Sequence, residues 1–230
     1  LVIIFLIIDN SNIIHVLRSK FSDIRNNYAR HSLYREDLDS FPLLQLKRWL
    51  DDAVETDHAE PTAMTVVTVD VTGQPSLRVV LLKGISEQGI VFFTNYQSLK
   101  GRQIDVNPKV SAGFFWAMLE RQVRIEGIAK KLAIQDSDAY FASRPRESRL
   151  GAWASPQSEV VPDKEYLSLR YQEFEEKFRG KDVPRPSYWG GYMLVPHRVE
   201  FWQGRPNRMH DRFLYRRDLH KGWVIDRLAP

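Results

Sequence analysis

The chain has 230 residues, 43% of them hydrophobic, enough for one substantial core burying roughly 70% of the unfolded surface. Its 33 Lys and Arg stand against 29 Asp and Glu, a mild cationic excess that suits phosphorylated small molecules as well as nucleic acid. Cysteine is absent, which excludes disulfides, thiolate catalysis and cysteine-ligated zinc or iron–sulfur sites, and the six histidines show no HExxH-type ligand spacing.

The first eight residues, LVIIFLII, are apolar but too short for a transmembrane helix, and they lack the basic region of a signal peptide. Residues 1–23 are expected to be a poorly ordered extension or processed start, and 24–230 a single domain of a cytoplasmic protein. After a polar stretch holding Arg25, Tyr28 and Arg30, Phe41 to Thr56 has helical spacing. Leu43, Leu46, Leu50 and Ala53 form its stripe, Leu44 and Val54 widen it, and Ser40 is the expected N-cap. Thr62 to Asp70 is rich in β-branched residues and reads as a strand. A turn at Thr72-Gly73 leads into a second strand over Pro75 to Ile85, and a third runs from Ile90 to Thr94. Ser98 is placed to cap a short helix reaching Val106, before Pro108. Strands over Val110–Trp116 and Gln122–Leu132 follow, then helices over Gln135–Ser143, Pro145–Ala154 and Lys164–Phe178. The last strands are Gly191–Gln203, Arg208–Arg216 and Gly222–Asp226. Successive strands joined by short turns predict a mainly β protein with peripheral helices (α+β), its antiparallel sheet curling into a barrel. No GxGxxG or GxxxxGK[ST] motif is present, which argues against Rossmann and P-loop nucleotide binding.

Three stretches carry candidate chemistry. In Arg78-Val79-Val80-Leu81-Leu82-Lys83 two cations punctuate an apolar strand. Their odd spacing puts them on opposite faces unless a bulge or the strand's end redirects one. Either they meet an anion or they snorkel from an edge strand to solvent. In Tyr140-Phe141-Ala142-Ser143-Arg144-Pro145-Arg146-Glu147-Ser148 the proline disfavours helix at Arg144 and suits a new helix start. A helix end, a corner at Arg144 and fresh amide donors near Ser148 would make a phosphate site, or else an ordinary helix–helix corner. In Arg208-Met209-His210-Asp211-Arg212 an extended backbone would put both arginines and the imidazole on one face, able to hold a flat anionic ligand or simply facing solvent. Thr94, Ser98, Lys100, Gln122, Gln157, Ser158 and Trp202 are uninformative taken singly.

Together the segments RVVLLK (78–83), FFTN (92–95), ERQVRIEG (120–127), YFASRPRESRLGAWAS (140–155), QS (157–158), PSYWGGY (186–192) and FWQGRPNRMHDRF (201–213) resemble the pyridoxine (pyridoxamine) 5′-phosphate oxidase family, in one register from Ile24 to Pro230. The resemblance implies a homodimeric FMN-binding split barrel. It would oxidise pyridoxine 5′-phosphate or pyridoxamine 5′-phosphate to pyridoxal 5′-phosphate, with oxygen reoxidising the flavin to give hydrogen peroxide. It implies FMN contacts from Arg78, Val79, Val80, Leu81, Leu82, Lys83, Phe93, Thr94, Lys100, Gln122, Gln157, Ser158, Trp202 and Arg212. Lys83, Tyr140, Arg144 and Ser148 would hold the substrate phosphate, and Arg208 and His210 would lie over the substrate ring as the catalytic pair. Arg25 and Tyr28 would belong to a segment that closes over the site. One departure stands out: the family has Ser-Arg-Lys where this chain has Ser98-Leu99-Lys100. The missing arginine is worth about 1.5–3 kcal/mol unless a neighbour, such as Arg102, substitutes. Two other readings stay open, a split-barrel flavin enzyme with another substrate and a non-catalytic nucleic-acid-binding barrel.

Overall fold

A computed structural model describes residues 27–56 and 59–230; the expectations for residues 1–23 and for Arg25 fall outside them. Nine strands form one antiparallel sheet: β1 (Ala63–Val69), β2 (Pro75–Leu81), β3 (Gly84–Ser86), β4 (Gly89–Asn95), β5 (Lys109–Trp116), β6 (Arg121–Lys131), β7 (Trp189–Gln203), β8 (Asp211–Asp218) and β9 (Gly222–Arg227). Five helices surround it: α1 (Pro42–Glu55), α2 (Leu99–Val106), α3 (Ile134–Ser143), α4 (Arg146–Ala154) and α5 (Lys164–Lys177).

The main path of the sheet runs β2-β1-β5-β6-β7-β4-β3, and β8 and β9 branch from β7. The branch follows from the length of β7. Its 15 residues pair with β6 on one side, while its other edge is shared between β4, over 189–194, and β8, over 198–203. A register shift at Glu126/Gly127, opposite the segment Pro196–Arg198, bends the strand between the two partners, and the sheet divides there. The barrel interior is filled by alternate residues such as Met64, Val66, Phe92, Phe114, Ile125 and Phe201, each no more than 1% exposed. α1 closes one end, with Trp49 set edge-on to Phe201 at 5.0 Å.

Several local expectations are corrected. α1 is capped by backbone at Phe41, with Pro42 at its first position, rather than by Ser40; proline's fixed φ serves that position well. Its buried stripe is Leu43, Leu46, Trp49 and Ala53, whereas Leu44 and Val54 face solvent. The strand expected over 75–85 breaks after Leu81, where Leu82 turns into the core, and restarts as β3. The strand expected from Arg208 begins only at Asp211, because Asn207 (φ 57°) and Arg208 (φ 62°) are both left-handed and form a turn with Pro206. No helix among the described residues is long and apolar enough to cross a membrane.

Candidate active site

A cavity of about 330 Å³ opens where the end of β2 meets β4, α2 and the α3–α4 corner. Among the described residues four cations line it, Arg78, Lys83, Lys100 and Arg144, and no acidic side chain does. β2 ends at Leu81, so Lys83 lies beyond the regular strand, with its amide donating to Val91 O at 2.8 Å. The strand's end therefore redirects one cation, and Arg78 and Lys83 reach the same cavity despite their odd spacing.

Arg78 and Lys100 are held by neutral groups. Arg78 Nη1 donates to Thr68 Oγ1 at 2.6 Å and to Val66 O at 3.2 Å. Lys100 Nζ donates to Gln157 Oε1 at 2.9 Å, Thr94 Oγ1 at 3.0 Å and Ser98 Oγ at 3.3 Å. Ser98 also caps α2, as expected, by accepting from Gly101 N. Burial, and secondarily the charge of Arg78, bring the Lys100 ammonium down to a pKa of about 8.

At the other wall Phe93 and Tyr140 stack at 3.8 Å, and Trp189 continues the stack parallel to Phe93 at 5.5 Å. The corner forms as the proline dictates: Arg144 is extended (ψ 148°), Pro145 is the N-cap rather than the first residue of α4, and the helix starts at Arg146. Arg144 lies 4.6 Å over the Trp189 ring, and its Nη1 is buried with no hydrogen-bond partner. A buried guanidinium nitrogen left unmatched costs free energy that an anion would recover.

A second group sits on β6, β7 and β8. Register places Gln122 opposite Trp202, and Trp202 opposite Arg212, in one row across three strands. His210 packs on Trp202 at 4.6 Å, and Tyr28 approaches Trp202 edge-on at 5.6 Å. The backbone N–H of Arg205 donates to His210 Nδ1 at 3.1 Å, so the neutral ring carries its proton on Nε2. Burial, then the charges of Arg208 and Arg212, hold this imidazole below its ordinary pKa. Gln122 also lines a second cavity of about 380 Å³, and Val79 borders both cavities.

The segment from Tyr28 to Leu33 is tied over this group. Arg30 N donates to Glu120 Oε2 at 3.1 Å, Leu33 N to Asp211 Oδ2 at 3.1 Å, and Arg205 Nη1 to His31 O at 3.0 Å. Tyr28 rests on Gly204, where an added Cβ would come within 2.8 Å of the tyrosine Cβ.

The structure thus brings most expected residues into two groups and leaves others out. Leu82 is a core residue, 4% exposed, and lies outside the cavity's lining. Ser148 and Ser158 are exposed and also outside it. Arg208 is exposed on its left-handed turn and does not share a strand face with His210 and Arg212. Arg102, the neighbour considered for the absent arginine at position 99, pairs with Glu159 at 2.8 Å and donates to Gln97 O. Trp189, Glu120 and Glu200 went unassigned by sequence reasoning; Glu200, a lone acid inside the apolar run Val199-Glu200-Phe201-Trp202, was the most visible of them.

The divided antiparallel barrel, with a cation-lined cavity at its edge, is the architecture of the FMN-binding split barrels. A pyridoxamine 5′-phosphate oxidase-related FMN-binding protein from Nostoc punctiforme shares this fold, with a TM-score of 0.66 and 18% identity over 87% of this chain and all of that one. Residues 50–178 match the family described as pyridoxamine 5′-phosphate oxidase, and 189–230 match the one described as the pyridoxine 5′-phosphate oxidase C-terminal dimerisation region. The pyridoxine/pyridoxamine 5′-phosphate oxidase 1 of Ralstonia nicotianae is 53% identical over 92% of this chain and its own full length. The Bordetella pertussis pyridoxine/pyridoxamine 5′-phosphate oxidase is 52% identical over 91% of this chain and 99% of its own. PhzG from Burkholderia lata, solved with tetrahydrophenazine-1-carboxylic acid, superposes with a TM-score of 0.82 at 31% identity, over 88% of this chain and all of that one. This chain belongs to the pyridoxamine 5′-phosphate oxidase family.

Proposed function

We propose that the protein is a pyridoxal 5′-phosphate synthase. It oxidises pyridoxine 5′-phosphate, or pyridoxamine 5′-phosphate with water, to pyridoxal 5′-phosphate; oxygen becomes hydrogen peroxide, and the amine substrate releases ammonia. The observation that carries this reading is the set of Arg78, Lys83, Lys100 and Arg144 around one cavity without an acid among them. FMN and the phosphorylated vitamin each bring a phosphate, and the buried, unmatched Arg144 nitrogen and the buried Lys100 fit such anions. When bound, FMN supplies the two-electron acceptor that takes hydride from C4′ of the substrate and passes the electrons to oxygen.

The side chains bind and orient. Arg78, Thr94, Lys100 and Gln157 hold FMN, together with the backbone of 78–81 and with Lys83 and Phe93. Lys83 is shared with the substrate phosphate, which Tyr140 and Arg144 also grip. His210 presents an Nε2–H donor to the substrate and is no base in that tautomer. Arg208, on its turn, swings over the substrate ring, and Tyr28 closes the site.

The row Gln122–Trp202–Arg212 completes the site from a second copy of the chain. The exposed apolar residues Leu77, Val79 and Leu81 on β2, with Phe115 on β5, give such a partner a surface to bury. The match of 189–230 to a dimerisation region supports the same homodimer. A cytoplasmic location suits the cysteine-free chain.

The likeness to PhzG raises a second reading, the same flavin scaffold with an unphosphorylated aromatic acid as substrate. Assaying pyridoxine 5′-phosphate against pyridoxine, and against unphosphorylated cyclic carboxylic acids, separates the two. Peroxide and pyridoxal 5′-phosphate formed only from the phosphorylated vitamers is the expected result; equal turnover without the phosphate would overturn the reading.

A further inference from the structure

Glu200 is only 3% exposed in the middle of β7, where a carboxylate without partners would be strongly unfavourable. Its two oxygens are divided between two arginines. Oε1 accepts from Arg212 Nε at 2.9 Å, and Oε2 accepts from Arg124 Nη2. Register sets Arg124 directly opposite Glu200 on β6, whereas Arg212 stands one row away on β8, opposite Trp202. Arg212 Nη1 donates to Ala229 O at 2.7 Å. Two of the three nitrogens of Arg212 are thus committed inside the chain, and Nη2 has no partner among the described residues. Arg124 lines the 380 Å³ cavity beside Gln122, so both cations border the row Gln122–Trp202–Arg212 while sharing one negative charge.

We propose that Glu200 is a positioning residue that fixes Arg212 in this row and, by dividing its charge with Arg124, sets how much positive potential Arg212 projects onto the bound flavin. This rests on the reading above that the row faces FMN. Reduction adds negative charge to the flavin, so an uncompensated cation nearby favours the reduced form and raises its midpoint potential. Two substitutions then act in opposite directions. Glu200→Gln removes the countercharge and exposes the flavin to both arginines. Arg124→Met removes one cation and leaves Glu200 wholly to Arg212.

The test is the midpoint potential of FMN in the loaded, full-length dimer, by anaerobic equilibration with a reference dye, for the unmodified protein and for E200Q, R124M and R212M. The expected pattern is a rise for E200Q, a fall for R124M, and a fall or loss of FMN for R212M. Shifts of the same sign, or none, in E200Q and R124M would overturn the proposal while R212M still responds. An R212M protein with unchanged FMN affinity and potential would instead sink the underlying reading that the row faces the flavin. If E200Q does not fold, R124M alone decides, since Arg124 is half-exposed and Arg212 still pairs with Glu200 in its absence; an unmoved potential there overturns the proposal.

Discussion

Lys100 and Arg144 show what single residues of the cavity do before any ligand arrives. Lys100 is held at a pKa of about 8 by burial, below the ordinary lysine value. Between about 8 and 10.5 the unfolded chain therefore holds more of the proton on this lysine than the folded one, and the Lys100 contribution to the stability of the FMN-free protein rises with pH across that window. Over the same window the cavity loses a cation, so FMN affinity falls as pH passes about 8. Fluorescence titration is expected to show FMN affinity falling above about pH 8, while the thermal stability of the FMN-free protein, taken as the difference from Lys100→Met, gains with pH across that range. Arg144 gives a different signature, because in the proposed function its unmatched nitrogen takes the substrate phosphate and not the flavin's. Arg144→Met is expected to raise KM for pyridoxine 5′-phosphate about tenfold or more, from the loss of about 1.5–3 kcal/mol of charged hydrogen bonding, with FMN content unchanged. Steady-state kinetics and flavin absorbance on one preparation check both halves. The corner at Arg144 was legible from Pro145 alone, since proline acts on its immediate neighbour. Ser148 is exposed and outside the cavity's lining, and which side of a new helix faces a cavity depends on packing from elsewhere in the chain.

At the scale of elements, the strands were readable wherever β-branched residues alternate between two turn signals, as in β1 and β5. The failures share a cause. Nothing local marks the end of β2 at Leu81, where the next residue joins the core instead of continuing the pleat. Nor does the sequence show that an arginine will accept a positive φ at 208; that conformation is imposed by the Pro206-Asn207 turn that precedes it. The row Gln122–Trp202–Arg212 joins strands far apart in sequence, and only their register creates it. The segment over the second group depends on one such contact. Gly204 leaves room for Tyr28, and a Cβ there would also come within 3.0 Å of the Glu120 Cβ. Gly204→Val is expected to lift the segment, raising KM for the substrate severalfold while FMN stays bound. Faster tryptic cleavage after Arg30 would register the same displacement, and unchanged cleavage with unchanged KM would contradict it.

For the whole molecule, the split of the sheet at β7 separates the two candidate groups. One branch, with β4, carries the cation-lined cavity; the other, with β8, carries the aromatic and imidazole row. In the proposed dimer, the exposed apolar face of β2 is where a second copy would join. The fold class was legible because many short strands joined by turns admit few architectures, but the assembly was not, since exposed apolar residues on a strand look identical to buried ones in sequence. The most direct measurement is anaerobic mixing of the FMN-loaded protein with pyridoxine 5′-phosphate. The account predicts that the flavin bleaches in the absence of air, that its colour returns on admitting oxygen, and that pyridoxal 5′-phosphate and peroxide appear in equal amounts. A flavin that stays yellow with that substrate, yet is still reduced by dithionite, would contradict it.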